Sequence, residues 1–459
     1  MAVKLAVRDG KEGKDKVGAI MDGRGCEEEE EGASGGGSFY SLAWALSHRL
    51  AQRFWERRWR GRSYGEATRV LILMSETGGG HKASAWSIAE ALEAQADHPL
   101  QISIVDMFVR HTNFPFNRLP KMYSYLSNKP RMWEAVYKTT KMTAGTILGC
   151  QEALSLAWID HFHRCVEEED PDLIISVHPL VQDGVARVVR RIRSWRNGRD
   201  IAFVTVVTDL VDIHPFWFHP AVDRCFVPTE GAREVGGKCG IASSRLAVCG
   251  LPVRKGFLDI LGRRREEVRA GLALEDLQTV LVLGGGDGVG DLGTLARAVG
   301  GSMRGSMRRQ LIIVCGKNTR VFEELQEEKW PREIRVFVLG YVTNMFEWMF
   351  SSDVVVTKAG PGTIAEACIC GLPIMISGFL PGQEEGNVDY IESRNIGEYH
   401  PDVSNLAERL KAWLADSSLL ERMSRNARAA SYPRASLEIA GEILEIVQGR
   451  REAQKNIER

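Results

Sequence analysis

The chain has 459 residues, 44% of them hydrophobic, enough for two or three domains each with a buried core. Its formal net charge is −1, so bulk charge gives no reason to expect a nucleic-acid partner. Nine cysteines lack paired metal spacing, and Cys368 and Cys370 fall in an apolar helical run, so reduced, mostly buried thiols are expected instead of a disulfide scaffold.

Residues 1–38 are polar and glycine-rich, with an acidic run from Glu27 to Glu31, and read as a disordered tail. The tail lacks both an apolar signal core and the acid-poor, Arg- and Ser-rich look of a transit peptide. Residues 39–62 interleave Phe39, Trp44, Phe54, Trp55 and Trp59 with Arg49, Arg53, Arg57, Arg58 and Arg60. An anionic membrane surface attracts such a segment; a helix packed on its own domain with solvated arginines is the other reading. No apolar run reaches the roughly 20 residues needed to cross a bilayer, so the protein is expected to be soluble or peripheral.

From residue 69 strands and helices alternate, with strands expected near 69–74, 101–106, 172–177, 201–207 and 224–228. In the first cycle an apolar strand runs into Gly78, Gly79 and Gly80, and His81 then opens a helix. Glycines allow close backbone approach, and the positive end of a helix keeps an imidazole neutral and usable as a base. Residues 112–149 mix Phe114, Phe116, Tyr123, Trp133 and Tyr137 with Lys121, Lys129, Arg131 and Lys138, as an interfacial surface requires; a buried helical excursion is the bland alternative. Asp170-Pro-Asp172 is formally a D-x-D, but Pro171 before a strand favours a surface turn. His161 and His163 lack a third ligand nearby, and no metal site is expected. Asp209 follows a buried strand and either orients His81 or caps a helix.

A second cycle begins near Thr279, with Gly284, Gly285, Gly286 and Asp287 after its first strand, and continues with strands at 311–315, 334–339, 353–357 and 373–376. The stretch Val354-Val-Val-Thr-Lys-Ala-Gly-Pro-Gly-Thr is again strand, glycine-bracketed turn and helix, a seat for phosphate at a helix N-terminus. Glu366, about one turn into that helix, is placed to accept from ribose hydroxyls. Two doubly wound Rossmann-like α/β domains facing an interdomain cleft are the expected architecture, joined near Gly250-Leu-Pro-Val-Arg. The segments are 1–38 tail, 39–62 basic segment, 63–255 N-terminal domain, 256–432 C-terminal domain, and 433–459 C-terminal helix with polar tail.

The segments Leu71–Ala85, Asp172–Leu180, Val206–Leu210, His214–His219, Gly250–Arg254, Leu283–Gly288, Thr357–Ala367 and Gly382–Asn387, in that order, resemble family 28 glycosyltransferases of the GT-B class. Within that class the chain is similar to the plant and algal monogalactosyldiacylglycerol synthases, singled out by His178-Pro179, Trp217-Phe218-His219 and Gly382-Gln383-Glu384. The resemblance implies transfer of galactose from UDP-galactose to diacylglycerol with inversion to the β-anomer. No cofactor is implied, since UDP-galactose is a substrate. It makes His81 the base, assisted by Asp209, and gives the uracil to Gly340, Tyr341 and Val342. The diphosphate goes to Thr357, Lys358, Ala359, Gly360, Pro361, Gly362 and Thr363, with Glu366 on the ribose. Gln383, Glu384 and Asn387 take the hexose, and Gly284 to Gly286 border the donor. On the acceptor and lipid side it implies Gly79, Gly80, His178, Pro179, Trp217, Trp133 and Tyr137. Anionic lipids such as phosphatidylglycerol or phosphatidic acid are the implied partners, and the plastid envelope the implied location. A glucosyl or N-acetylglucosaminyl donor is the nearest alternative, and a UDP-sugar 2-epimerase shares the architecture.

Overall fold

The computed structural model describes residues 6–7, 67–76, 79–127, 129–142, 158–194, 200–284, 291–305 and 307–458. The basic segment 39–62 and the glycines Gly78, Gly285 and Gly286 lie outside the described residues, as does Asp287.

Two parallel sheets organise the chain. The first contains β1 (Ala6–Val7), β2 (Thr68–Met74), β3 (Leu100–Asp106), β4 (Leu173–Ser176), β5 (Ala202–Val206), β6 (Arg224–Val227) and β7 (Leu246–Val248), in the order β1-β3-β2-β4-β5-β6-β7. The second contains β8 (Thr279–Leu283), β9 (Arg309–Val314), β10 (Ile334–Leu339), β11 (Val354–Lys358), β12 (Ile374–Gly378) and β13 (Gly397–Tyr399), in the order β10-β9-β8-β11-β12-β13. Helices cover both faces of each sheet, so the central strands are buried on both sides and read as unbroken apolar runs such as Val-Leu-Ile-Leu in β2. This is the doubly wound pair of domains expected. β7 and β13, three residues each, were not foreseen, because so short a run carries no periodicity. Ala6–Val7 departs from the disordered tail: the open edge of β3 supplies unpaired backbone groups, and these two residues pair with Ser103 and Ile104.

Six helices matter for the site: α1 (Gly79–Gln95), α2 (Leu119–Ser127), α3 (Pro130–Met142), α4 (Pro361–Cys370), α5 (Glu385–Ser393) and α6 (Ala435–Glu458). α4 starts with Pro at its first helical position and ends at Gly371 in the left-handed conformation, φ 68°, the expected punctuation of a short helix. α6 follows the second domain in sequence but packs on the first. Its Ile439, Ala440, Ile443 and Val447 join Ile88 and Leu92 of α1 against the first sheet. Arg224 pairs with Glu442 at 2.6 Å and Arg450 with Asp223 at 2.6 Å. The chain therefore crosses between domains twice, and the crossings touch: Ser436 Oγ accepts from Val253 N at 3.0 Å and donates to Val253 O at 2.7 Å. Gly250, φ +77°, lies under Tyr432, and a Cβ there would stand 2.4 Å from Tyr432 Cβ.

Candidate functional site

His81 is the third residue of α1, at the carboxyl end of β2. Its Nδ1 lies 2.8 Å from Val177 O, and a carbonyl only accepts, so Nδ1 carries the hydrogen and Nε2 the lone pair. The Thr208 hydroxyl stands 2.9 Å from the same nitrogen. Burial pushes the imidazole down to about 4, against the Val177 hydrogen bond that raises it, so the ring is neutral throughout the physiological range. His178 meets it edge-on at 4.9 Å, and Trp217 backs it at 5.9 Å. Cβ atoms placed on Gly79 or Gly80 would meet nothing within 4 Å, so the protein's own packing does not require glycine there.

Asp209 does not orient His81. Its Oδ2 accepts from Trp217 Nε1 at 2.6 Å and its Oδ1 from Gln383 Nε2 at 3.2 Å, and burial raises the carboxyl to about 6. Nor does it cap a helix, since the residues that follow turn into an irregular loop. The orienting role falls to Val177 and Thr208, which sequence alone left unmarked because a backbone carbonyl and a strand-end threonine carry no motif. Trp217, expected on the acceptor side, is fully buried and holds Asp209. His178 is buried too, with its Nδ1 accepting from Leu180 N at 3.3 Å and its ring against Phe108, so both are walls behind His81 and not lipid contacts. Pro179 opens the short 3-10 turn that His178 caps.

The second domain contributes the end of β8 and the loops after β10, β11 and β12, the last of which meets Asp209 and Asp212 of the first domain. Gly284 closes β8, donating to Val314 O at 3.3 Å. Gly360 caps α4 without a side-chain bond and Gly362 is exposed, so the first N–H groups of α4 stay open to an anion, beside Thr363. Three side-chain oxygens in this region are buried without a partner: Thr357 Oγ1, Gln383 Oε1 and Asn387 Oδ1. These three are acceptors that the protein itself leaves free, at the carboxyl ends of β11 and β12. Asn387 is oriented by its Nδ2, which donates to Ala359 O at 2.9 Å. Glu384 is engaged at both oxygens, by Lys358 Nζ at 2.9 Å and Leu380 N at 2.8 Å.

Glu366 is not a solvated helix glutamate. Arg254 Nη2 lies 2.9 Å from its Oε1, and burial raises the carboxyl while the guanidinium opposes that shift. Arg254 Nη1 also reaches Thr343 O at 3.4 Å, tying the Gly340-Tyr341-Val342 turn to Glu366. Val342 packs on the domain core and Tyr341 is exposed. Arg254 was missed as a site residue. It ends the Gly250–Arg254 segment in the interdomain crossing, but its partner lies 112 positions away, so the segment by itself gave it no role.

The lipid-side expectation needs revision at two further residues. Tyr137 is buried, bonds Asp212 O at 2.7 Å and meets His214 edge-on, while Trp133 is half-buried between Tyr123 and Tyr137. The exposed apolar side chains of this region are others: Val109, Phe114, Met122, Tyr125, Met132, Val136 and Met142. Exposed Arg118, Lys121, Lys129, Arg131 and Lys138 share this stretch with them, and Glu134 is the sole acid of residues 109–142.

Asp170 and Asp172 form no surface turn. Both are buried and held by Arg69, at the end of β4 opposite the site. Among the described residues no three His, Cys, Asp or Glu side chains gather as metal ligands, no helix is long and apolar enough to cross a membrane, and all seven described cysteines are free.

Residues 81–253 match the family profile described as monogalactosyldiacylglycerol (MGDG) synthase, and residues 279–438 match the glycosyltransferase family 28 C-terminal domain. The chain is 38% identical over 391 residues to the chloroplastic monogalactosyldiacylglycerol synthase of Spinacia oleracea, covering 83% of this chain and 73% of that one. It is 37% identical over 387 residues to monogalactosyldiacylglycerol synthase 1, chloroplastic, of Arabidopsis thaliana, covering 83% and 71%. The chain belongs to the monogalactosyldiacylglycerol synthase family. Among solved structures, MurG of Acinetobacter baumannii superposes with a TM-score of 0.54 at 14% identity, covering 82% of this chain and 99% of that one. MnaA of S. aureus, solved with UDP, gives 0.54 at 13%, covering 83% and 97%. At such identity these two establish the shared GT-B fold and carry nothing about substrate.

Proposed function

We propose that the protein transfers galactose from UDP-galactose to the free hydroxyl of diacylglycerol with inversion, His81 being the base. The observation that carries the reading is the tautomer of His81: Val177 O holds the Nδ1 hydrogen, which leaves the Nε2 lone pair for the acceptor proton. In the step the acceptor oxygen bonds to the anomeric carbon as the bond from that carbon to UDP breaks. The hydroxyl proton passes to Nε2, and UDP leaves with the electron pair. The N-terminus of α4 and Lys358 stabilise the departing diphosphate, Arg254 and Glu366 hold the ribose end, and no metal or cofactor takes part. Gln383, Glu384 and Asn387 read the hexose, in accord with the unpartnered oxygens of Gln383 and Asn387.

The acceptor is too apolar to leave a bilayer, so the enzyme docks at the membrane as a peripheral protein. Support comes from the exposed apolar side chains on α2, α3 and the preceding segment, interleaved in sequence with exposed lysine and arginine. Anionic lipids are the expected partners of those basic side chains, and the plastid envelope the expected location, since the curated relatives are described as chloroplastic.

Incubation with labelled UDP-galactose, UDP-glucose or UDP-N-acetylglucosamine and mixed micelles of diacylglycerol tests the reading. A β-galactolipid from UDP-galactose alone is expected. Product from another donor overturns the donor assignment, an α-linked product overturns inversion, and turnover of UDP-sugar without acceptor points to the epimerase.

A further inference from the structure

The loop that follows β12 reaches across to the first domain, and its contacts there are not those of incidental packing. Asp212 Oδ2 accepts from Gly386 N at 2.6 Å. Gly386 is the second residue of α5, and the N-cap position, Glu384, makes no side-chain cap of its own. A carboxylate from the other domain thus does the work of a helix cap, where it also meets the positive end of the α5 dipole. Asp212 is held in turn by α3: Tyr137 donates to its carbonyl at 2.7 Å, and Lys141 Nζ lies 3.3 Å from its Oδ1.

The same surfaces exclude larger residues at both ends of the loop. At Gly382, φ +79°, a Cβ would stand 3.1 Å from Tyr137 Cδ1; at Gly386 it would stand 2.8 Å from Asp212 Oδ2 and 2.9 Å from Val211 Cγ1. Leu210 and Val211, although they belong to the first domain by sequence, pack into the core of the second. Gln383 between these two glycines bonds Asp209.

We propose that Asp212 is a positioning residue for the donor, a latch held by Tyr137 of α3 that keeps the loop Leu380–Asn387 in the conformation that receives the hexose. The proposal rests on the assignment of Gln383, Glu384 and Asn387 to the hexose. Affinity for a ligand scales with the fraction of protein already in the competent conformation, so releasing the loop weakens binding of the sugar-bearing donor. UDP itself does not reach the loop under that assignment, and its affinity stays as it was.

Calorimetric binding of UDP-galactose and of UDP to the full chain separates these effects. In Asp212→Ala the UDP-galactose Kd rises about tenfold and the UDP Kd stays within about twofold, the size expected for loss of a charged helix cap. Asp212→Asn keeps an acceptor for Gly386 N and restores most of the affinity. Tyr137→Phe keeps the ring against Gly382, loses the bond to Asp212, and lies between the two. The latch is overturned if Asp212→Ala weakens both ligands together, as a folding defect would, or neither. Gln383→Ala and Asn387→Ala serve as the reference. If they separate UDP-galactose from UDP while Asp212→Ala does not, the hexose assignment stands and the latch falls. If they do not separate the two ligands, the hexose assignment fails and takes the latch with it.

Discussion

At the scale of single residues the proposed reading rests on His81. His81→Ala removes the base without touching the donor loops, so turnover should fall about 10²- to 10⁴-fold with UDP affinity nearly intact. A kcat near that of the parent protein would refute the assignment. The low pKa of His81 makes a second, sharper statement. The working form is the neutral ring, so acid inactivates only once the ring protonates, and kcat/KM should stay level from pH 8 through pH 6 and fall with a midpoint near 4. An inflection at the ordinary histidine value would mean that water reaches the pocket freely. Thr208→Val removes the weaker of the two groups on Nδ1 while Val177 O still fixes the tautomer, so a loss of only about three- to tenfold in kcat is expected. Glu366→Ala removes charge-assisted hydrogen bonds worth about 1.5–3 kcal/mol and leaves Arg254 without its carboxylate, so UDP should bind at least about tenfold more weakly by calorimetry.

At the scale of elements, α3 has two faces with separate duties. Tyr137 looks inward to Asp212 and Gly382, whereas Met132 and Val136 look outward. Membrane attachment through such a face has two parts, a charge attraction screened over roughly 8–10 Å at ordinary salt and an apolar part that salt does not screen. Replacing Met132 and Val136 together by Ser should therefore lower the salt-resistant fraction that sediments with phosphatidylglycerol vesicles and leave UDP affinity unchanged. Equal sedimentation with neutral and anionic vesicles at low salt would remove the role of the basic side chains. Trp133→Ser is a poorer probe than its aromatic character suggests, because the indole is packed between Tyr123 and Tyr137 and its loss disturbs the inward face as well.

For the whole molecule, α6 makes the first domain depend on the end of the chain. Ile439, Ile443 and Val447 are buried against α1, each contributing about 1.5–3 kcal/mol by burial, a sum comparable to the net stability of a domain. Removing residues 435–459 should abolish the cooperative unfolding of the first domain, as read by calorimetry. Stability should also decline on acidification. His81, His111 and His214 are each held near 4 by burial, below the value of an unfolded histidine, so between about pH 6.5 and 4 the unfolded chain takes up protons that the folded chain refuses. Asp209 acts in the opposite sense: its raised pKa favours the fold at low pH and loses that contribution as pH rises through about 6. Glu93, Asp106 and Glu366 are raised by burial and act with Asp209, whereas His161, His178 and His219 are lowered and act with the three histidines. Six groups against four predict a lower Tm at pH 5 than at pH 7.5, and a Tm unchanged or higher would show that the histidines are hydrated.

What the sequence by itself determined were the features written locally. The unbroken apolar strands and the Gly-Pro-Gly start of α4 each follow from the dihedral and burial demands of one short segment, and together they carried the two-domain fold and the order of the site. What only the tertiary structure decided were the partnerships across long separations. Asp209 turned from His81 to Trp217 and Gln383, Arg254 came to Glu366, Asp212 came to α5, and α6 crossed back to the first sheet. Polar side chains choose partners by what burial leaves within reach, and burial is a property of the packed domains, so no run of neighbouring residues encodes it. The same reason explains why Trp217 and Tyr137 resembled lipid contacts on paper and are interior walls in the fold. An aromatic side chain suits either environment, and only the packing around it chooses between them.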